Sequence, residues 1–373
     1  MKNKIFFWIL GLIIFLIIIV NILFFSGVFN GNVVKNNEKT IKIGVLFPFS
    51  GKIASIGDSM RDAVELAHSN SDNIELIYQD EECDAEKAVS AYRALRLQGV
   101  RIIIGAGCSS STVAVAPIAE SEKVLLFTPL SSADVISKMG DYIFRNHEFA
   151  SQKAGKIAEF ASTKYKTAAI IYDATSDAYV SSQKIFADNF KGDTLDVESF
   201  QKNANDYRSQ LIKIKEKNPE AIVVFALMPD SGLIIKQMNE LGIKSQIIGE
   251  DGLVLDSDFI KAVGNLSNGI IFAGTKFDRE SSPEFFDAFN KKYGKDPRQW
   301  DAQAYDNYMI LKKIINEKCH DGDPTCIKNE IYKIQNYKGA SGILSFDSNG
   351  DARKDVAIQI INNGRIEDLN NEK

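Results

Sequence analysis

From residue 41 onward, short apolar runs alternate with longer segments whose apolar residues recur every three or four positions. Runs of strand length predict strands at residues 41–47, 74–79, 101–104, 124–127, 142–145, 167–172, 197–200, 221–225 and 246–248. Helical spacing predicts helices at residues 57–69, 84–98, 112–121, 151–165, 179–190, 207–217, 232–241, 283–293 and 302–317. This alternation predicts parallel sheets with helices on both faces, and it restarts near residue 151. We therefore expect an α/β protein with two doubly wound lobes.

The end of the chain departs from this alternation. Residues 342–351 lead into a predicted strand at 356–361, and Asn349-Gly350 is a strong signal for a hairpin turn. The acidic loop that starts at Asp347 is no calcium site. An EF-hand loop needs Gly at its sixth position and Glu at its twelfth, where this chain has Ala352 and Ile358.

The N-terminus predicts a membrane segment. Lys2 and Lys4 precede an apolar run at residues 5–25, which is long enough to span a bilayer. The two lysines favour an N-terminus inside the cell, so the rest of the chain is expected outside. A cleaved signal peptide is the alternative, which would leave a secreted or periplasmic protein. Residues 1–40 are thus interpreted as an anchor or signal segment plus a tether.

Composition and motifs exclude several function classes. The 373 residues carry a net charge of −5 without a basic block, which argues against nucleic acid as a partner. The three histidines, His68, His147 and His320, lack the spacing of a zinc site, and no Gly-x-Ser-x-Gly motif occurs. Gly105-Ala106-Gly107 lacks the third glycine of a dinucleotide fingerprint, because Ser110 stands there. We expect a binding protein without a metal or cofactor, and no enzyme.

A turn rich in hydroxyl groups is the main candidate for a binding site. Residues 109–112 read Ser-Ser-Ser-Thr, between a buried strand and a helix. A helix N-terminus has unpaired N–H groups and the positive end of its dipole, so added hydroxyls make a cradle for a carboxylate. A second small polar turn, residues 128–133, follows the next strand and could converge on the same carboxylate. Simple helix capping is the alternative interpretation.

An acidic turn at residues 249–252 follows a strand in the second lobe. Asp and Gly are ordinary turn residues, so a purely structural role is one interpretation of Gly249-Glu250-Asp251-Gly252. Opposite a carboxylate cradle, the same acids become a natural partner for an ammonium group.

The four cysteines fall into two sequence neighbourhoods. Cys83 and Cys108 follow neighbouring predicted strands, and a disulfide between them would join two strand ends beside the hydroxyl turn. Cys319 and Cys326 are expected to close a surface loop by a disulfide, with metal binding as the alternative. Both disulfides require an oxidising compartment.

These residues resemble the leucine/isoleucine/valine-binding branch of the type I periplasmic solute-binding proteins of ABC importers. The resemblance covers residues 41–365, and the separation of Cys83 and Cys108 fits the family disulfide. Its markers, in order, are residues 43–51 with Gly57, residues 80–84, residues 108–112, Thr128-Pro129 and residues 342–351.

The resemblance implies a two-lobed fold with three crossings between lobes, near His147, Lys276 and Ser341. Lobe 1 would comprise residues 41–146 and 277–341. Lobe 2 would comprise residues 147–276 and 342–365, and residues 366–373 would form a polar tail.

The resemblance also implies the ligand site. The carboxylate of an amino acid would bind Ser109, the backbone at Leu130 and Ser132, while Asp251 would accept the ammonium. Further cleft residues carried over from the family are Tyr179, Ile56 and Tyr305. Leu227 stands where the family often has an aromatic residue over the ammonium, so a cation–π contact is lost.

The implied function is the solute-binding component of an ABC importer, which closes around a small amino acid, branched-chain or related, and delivers it to ABC permease membrane subunits. A receptor domain that senses the ligand without feeding a transporter is the alternative.

Overall fold

The computed structural model describes residues 40–369, except 52, 70–72, 202–203, 255–258, 276, 278 and 281. Within that range, no helix is both long enough and apolar enough to cross a membrane. The anchor or signal segment expected at residues 5–25 lies outside the described residues.

The first lobe is built on a five-stranded parallel sheet in the order β2-β1-β3-β4-β5. Its strands are β1 Ile41–Phe47, β2 Ile74–Asp80, β3 Ile102–Gly105, β4 Leu125–Thr128 and β5 Ile143–Arg145, connected by helices α1 Ala54–His68, α2 Ala85–Leu97 and α3 Ser109–Ser121. Every residue of β3 and β4 is buried, because helices cover both faces of the sheet. Helix α2 begins at Ala85 because the Asp84 side chain accepts hydrogen bonds from the N–H groups of Glu86 and Lys87.

The second lobe holds a seven-stranded sheet. The chain forms α4 Ala150–Lys164, β6 Thr167–Asp173, α5 Asp177–Asn189, β7 Asp193–Phe200, α6 Arg208–Lys217, β8 Ala221–Phe225, α7 Asp230–Glu240, β9 Gln246–Glu250, α8 Phe259–Val263 and β10 Ile271–Gly274. These five strands are parallel to one another and lie in the order β10-β9-β8-β6-β7. The fold is therefore α/β with two mainly parallel sheets, as the alternating pattern predicts.

The chain then returns to the first lobe. It forms α9 Pro283–Tyr293, α10 Gln299–Glu317, α11 Pro324–Ile331 and the small hairpin of β11 Tyr337–Gly339 with β12 Gly342–Leu344. Leu344, Phe346 and Ala352 share a core cluster with Phe47 of β1. The boundary expected at residue 342 is thus too early, because the residues that follow it still pack on the first lobe.

The second lobe is completed by β13 Ala357–Asn362, antiparallel to β10, and β14 Arg365–Asp368. The polar tail expected from residue 366 is wrong for β14, which pairs along its length with β13. Asn363 and Gly364 both have positive φ angles, 48° and 78°, so they turn the chain back within two residues. At Asn349-Gly350, where the sequence predicts a hairpin turn, the chain makes a tight turn that is closed by the bridge between Phe346 and Ala352.

Candidate functional site

A cavity of about 290 Å³ lies between the two lobes, where the carboxyl ends of both sets of parallel strands face each other. Both lobes belong to one compact unit, Ile41–Lys373. The first-lobe wall and the second-lobe wall of this cavity differ in chemistry. Lining residues include, from the first lobe, Ile53, Cys83, Cys108, Ser109, Ser110, Leu130 and Ser132, and from the second, Lys153, Tyr179, Leu227, Glu250, Asp251 and Gly252.

Ser109 is the centre of the first-lobe wall. Its Oγ accepts hydrogen bonds from the backbone N–H groups of Ser132, at 3.0 Å, and Ala133, at 3.2 Å. A hydroxyl has two acceptor lone pairs and one proton, so both lone pairs are used and only the donor proton remains. Ser109 can therefore only donate to a ligand, which favours an anion such as a carboxylate.

The other hydroxyls of the two turns serve mainly to join them. Thr112 Oγ1 lies 2.8 Å from Ser131 Oγ, and Thr128 Oγ1 donates to the carbonyl of Ala106 at 2.6 Å. Helix α3 begins at Ser109, three residues earlier than the sequence predicts, so its first turn carries the hydroxyl run to the cavity. No side chain of the run caps the helix, because residue Cys108 is the N-cap and makes no side-chain cap hydrogen bond, while Ser109 and Ser110 line the cavity.

A buried arginine supports the second turn. Arg145 is fully buried, and its guanidinium donates to the carbonyl of Ala133 at 2.8 Å and to Ser137 Oγ at 2.7 Å. Asp351 balances its charge at 2.8 Å. Arg145 was not predicted as a supporting residue, although an arginine that ends an apolar strand is a signal for a buried ion pair.

Both cysteine pairs lie at bonding distance. The Sγ atoms of Cys83 and Cys108 are 2.01 Å apart, as are those of Cys319 and Cys326. Cys108 also anchors the start of α3, since its N–H donates to Glu81 Oε1 at 2.9 Å. Burial raises the pKa of Glu81 to about 8. Cys326 lies inside α11 rather than in the expected surface loop, because Asp323-Pro324 is a good helix start.

The second-lobe wall is charged and contains an unexpected ion pair. Lys153 Nζ lies 2.8 Å from Asp251 Oδ1, and their side chains are only 3% and 13% exposed. Burial opposes the charge of Lys153, but the carboxylates of Asp251, Glu250 and Glu148 outweigh it and raise its pKa. Asp251 is thus in the cavity wall as predicted, but it is already paired with a cation.

Lys153 is not among the site residues predicted from the sequence, because those residues come from strand ends and turns, whereas Lys153 comes from a helix. A signal was available. Lys153 stands on the buried face of α4 together with Ala150, Ala154 and Ile157, at spacings where apolar residues are expected. A lysine in such a stripe needs a buried counter-ion, and Asp251 supplies it.

The polar contacts of Lys153 extend to His147, in the segment that connects the lobes. Lys153 Nζ lies 3.3 Å from His147 Nε2, and His147 Nδ1 lies 3.1 Å from Gln303 Oε1 of α10. Burial, reinforced by Lys153, lowers the pKa of His147 to about 4, so the ring is neutral at pH 7 and Nε2 accepts from Lys153. His147, Glu148 and Asp251 each offer an atom that could bind a metal, and these atoms lie within 4.8 Å of one another. The Lys153 ammonium contacts both His147 and Asp251, so we assign no metal there.

Tyr179 and Leu227 complete the second-lobe wall. The Tyr179 ring stacks on Phe225 with centroids 6.3 Å apart, and burial raises the pKa of its hydroxyl. Glycine at position 252 leaves room for this ring, since a Cβ there would lie 2.2 Å from the Tyr179 hydroxyl and would force it to shift. Leu227 adds an apolar surface beside these polar groups.

Two expected cleft residues do not line the cavity. Ile56 belongs to the core of the first lobe and is 3% exposed, because α1 begins at Ala54 and turns this side chain inward. Ile53, at the start of that helix, takes the place at the cavity. Tyr305 lies on the side of α10 that faces α9, where the centroid of its ring is 4.8 Å from the ring centroid of Phe285.

Known proteins with the same architecture support this description. The family model for periplasmic binding proteins matches residues 40–365. A leucine-, isoleucine-, valine-, threonine- and alanine-binding protein of Pseudomonas aeruginosa is 25% identical over 329 residues, which are 84% of this chain and 87% of that protein.

Two solved structures show how widely such folds are used. The branched-chain amino acid transporter substrate-binding protein LivJ of Streptococcus pneumoniae, in complex with isoleucine, has 27% identity and a TM-score of 0.80, over 88% of this chain and 98% of LivJ. An ABC transporter solute-binding protein of Rhodopseudomonas palustris, in complex with 3,4-dihydroxybenzoic acid, shares the fold at 22% identity and a TM-score of 0.78, over 88% of this chain and 95% of its own. The relatives are solute-binding proteins, and this chain belongs to the periplasmic binding protein family.

Proposed function

We propose that the protein is the extracytoplasmic solute-binding component of an ABC importer and that its cavity binds a small α-amino acid. The observation that carries this proposal is the contrast between the walls. Ser109 has only a proton left to offer a ligand, while Asp251 faces it from the other lobe with a carboxylate. A zwitterion has the complementary charges at its two ends.

The cavity size and the apolar lining are consistent with a small ligand. A volume of about 290 Å³ is at the lower end of ligand pockets, which span roughly 300–1,000 Å³. Ile53, Leu130 and Leu227 supply apolar surface for an aliphatic side chain. Closure of the two lobes would bury the ligand and present a shape for the permease subunits.

Two measurements test which ligand the cavity binds. Mass spectrometry of material carried through purification is expected to identify a small amino acid. Calorimetric titration with aliphatic, polar and acidic amino acids is then expected to give saturable binding for the aliphatic group. Absence of binding by every amino acid in the panel would reject the proposal.

Transport is tested separately. We expect the full-length protein to capture ABC permease subunits from native membranes, and deletion of its gene to abolish uptake of the radiolabelled ligand. Normal uptake in the deletion strain would favour the receptor interpretation. Protease treatment of intact cells is expected to digest the folded lobes, since we place them outside the membrane.

A further inference from the structure

Asp251, one of several acidic residues that line the cavity, already has a cation, and this changes what the site requires of a ligand. Asp251 Oδ1 accepts a hydrogen bond from the Lys153 ammonium at 2.8 Å, and Lys153, which lies beside it in the cavity wall, is almost completely buried. In a site that recognises amino acids through an unpaired acid, the ligand's ammonium must supply the counter-charge. Here the protein supplies one itself.

The position of Lys153 is fixed by its surroundings. Its backbone lies in the first turn of α4, where the N–H of Ala150 donates to the carbonyl of Ser132 at 2.7 Å. Its ammonium also contacts His147, whose ring is held by Gln303. Leaving Asp251 would also cost Lys153 its contact with His147, so we expect it to remain a partner of Asp251 whether the cavity is filled or empty.

We propose that Lys153 is a specificity-determining residue that acts as a built-in substitute for the ligand's ammonium, so that the cavity also accepts small aliphatic carboxylates without an α-amino group. This inference rests on the proposed function, because it assumes that the ligand's carboxylate binds the first-lobe wall. Lys153 acts through Asp251 and is a positioning residue in this account.

The physical argument concerns unpaired buried groups. A site that hydrogen-bonds a ligand group rejects an analogue lacking that group because its own buried polar atoms are left without a partner. When a ligand without an ammonium occupies this cavity, Asp251 keeps its ion pair with Lys153. The penalty that normally enforces amino acid selectivity is therefore small. With an amino acid bound, Lys153 and the ligand's ammonium share the same carboxylate, and each weakens the gain from the other.

The experiment compares matched pairs of ligands. Leucine with 4-methylpentanoate, valine with 3-methylbutanoate and alanine with propanoate differ only in the α-ammonium. Calorimetry is performed on the wild-type protein and on Lys153→Met, Lys153→Arg and Lys156→Met. Lys156 is the matched control, since it lies on the same helix and forms an exposed pair with Glu159.

The readout is the ratio of affinities within a pair. For the best-binding pair, we expect a ratio within about tenfold in the wild type and the Lys156→Met control. Lys153→Met leaves Asp251 dependent on the ligand's ammonium, and the ratio should rise by about tenfold or more. Lys153→Arg should restore a ratio close to that of the wild type. A purely structural role of Lys153 would lower the melting temperature without moving the ratio.

The possible failures are distinguishable. If an amino acid binds but its partner is more than about a hundredfold weaker in the wild type, this inference is wrong and the proposed function stands. An unchanged ratio in a folded Lys153→Met protein also overturns it. If Lys153→Met does not fold, the wild-type ratio alone decides. If neither member of any pair binds, the proposed function fails, and this inference with it.

Discussion

The two walls of the cavity solve different problems with different chemistry. Around Ser109, the first-lobe wall consists of backbone and hydroxyl groups from two consecutive strand–turn units, fixed by contacts such as Ser109 with Ser132, and we call this part the neutral wall. The acidic residues Glu82 and Asp84 line the cavity beside it. The second-lobe wall is ionic. Its ion pair joins Lys153 and Asp251, which are 98 residues apart in sequence.

This difference decides which wall can be read from the sequence. A local strand–turn–helix pattern carries its own geometry, so the turns that provide Ser109 and Ser132 could be predicted as neighbours. An ion pair between distant elements exists only after the lobe has folded. The predictions below test whether the ionic wall or the neutral wall dominates binding.

The largest effect is expected from the ionic wall. Asp251→Asn removes the acid that faces the ligand's ammonium and leaves Lys153 without its counter-charge, so amino acid binding should weaken by about 2–5 kcal/mol. Asp188→Asn, on the exposed side of α5, is the matched control. Equal affinities for the two variants by calorimetry would mean that Asp251 does not contact the ligand's ammonium.

The second-largest effect is expected from the disulfide between Cys83 and Cys108, which lies at the neutral wall. Replacing Cys83 and Cys108 together by serine opens a loop with a sequence separation of 25 residues, which costs about 3 kcal/mol in the chain-entropy account. We expect the free energy of unfolding in urea to fall accordingly. The Cys319/Cys326 double variant, with a separation of only 7 residues, is the control and should lose less. Peptide mapping that finds free thiols after oxidative expression would contradict this prediction.

The hydroxyls of the neutral wall should contribute somewhat less. Ser109→Ala removes a donor to the ligand's carboxylate, a charge-assisted bond worth about 1.5–3 kcal/mol. Ser132→Ala should act on the same group, so the double variant is expected to lose less than the sum of the two. Ser121→Ala, at the exposed end of α3, serves as the control. A lower melting temperature with unchanged affinity would assign these residues to capping alone.

The smallest effect concerns pH and the connection behind the ionic wall. His147 has its pKa lowered by burial to about 4, below the unfolded value near 6.5, so its neutral form is favoured in the folded protein. Stability from this group is present above pH 6.5 and is lost as the pH falls towards 4, amounting to about 2 kcal/mol at pH 5. His147→Gln should lack this component when urea unfolding at pH 7 and pH 5 is compared. Equal pH dependence in both proteins would contradict the assignment.

Much of the fold follows from the sequence because buried parallel strands are continuous apolar runs. Strand β8 and strand β3 were predicted on this basis. Strand β10 is a buried apolar run of the same length as β3, and its signature lies in a part of the chain where no strand is predicted, whereas β14, which is exposed throughout, has no such signature. They form because neighbouring strands offer them hydrogen-bond partners.

The candidate site was predictable to a similar extent. The positions of Ser109, Ser132 and Asp251 follow from turns at strand ends, and all three line the cavity. Ile56 and Tyr305 were placed by resemblance alone, and the exact start of α1 and the packing of α10 direct them elsewhere. Lys153 is not among the predicted site residues, because its role depends on Asp251, which comes within reach only in the folded lobe.

The central claim is that a ligand's carboxylate binds the neutral first-lobe wall, and a blocked carboxylate tests it most directly. Calorimetry of the purified protein with leucine and leucinamide, and with valine and valinamide, compares ligands that differ at that group alone. We expect each amide to bind about a hundredfold or more weakly than its acid, since two charge-assisted bonds are lost. Amides that bind as tightly as the acids would contradict the account.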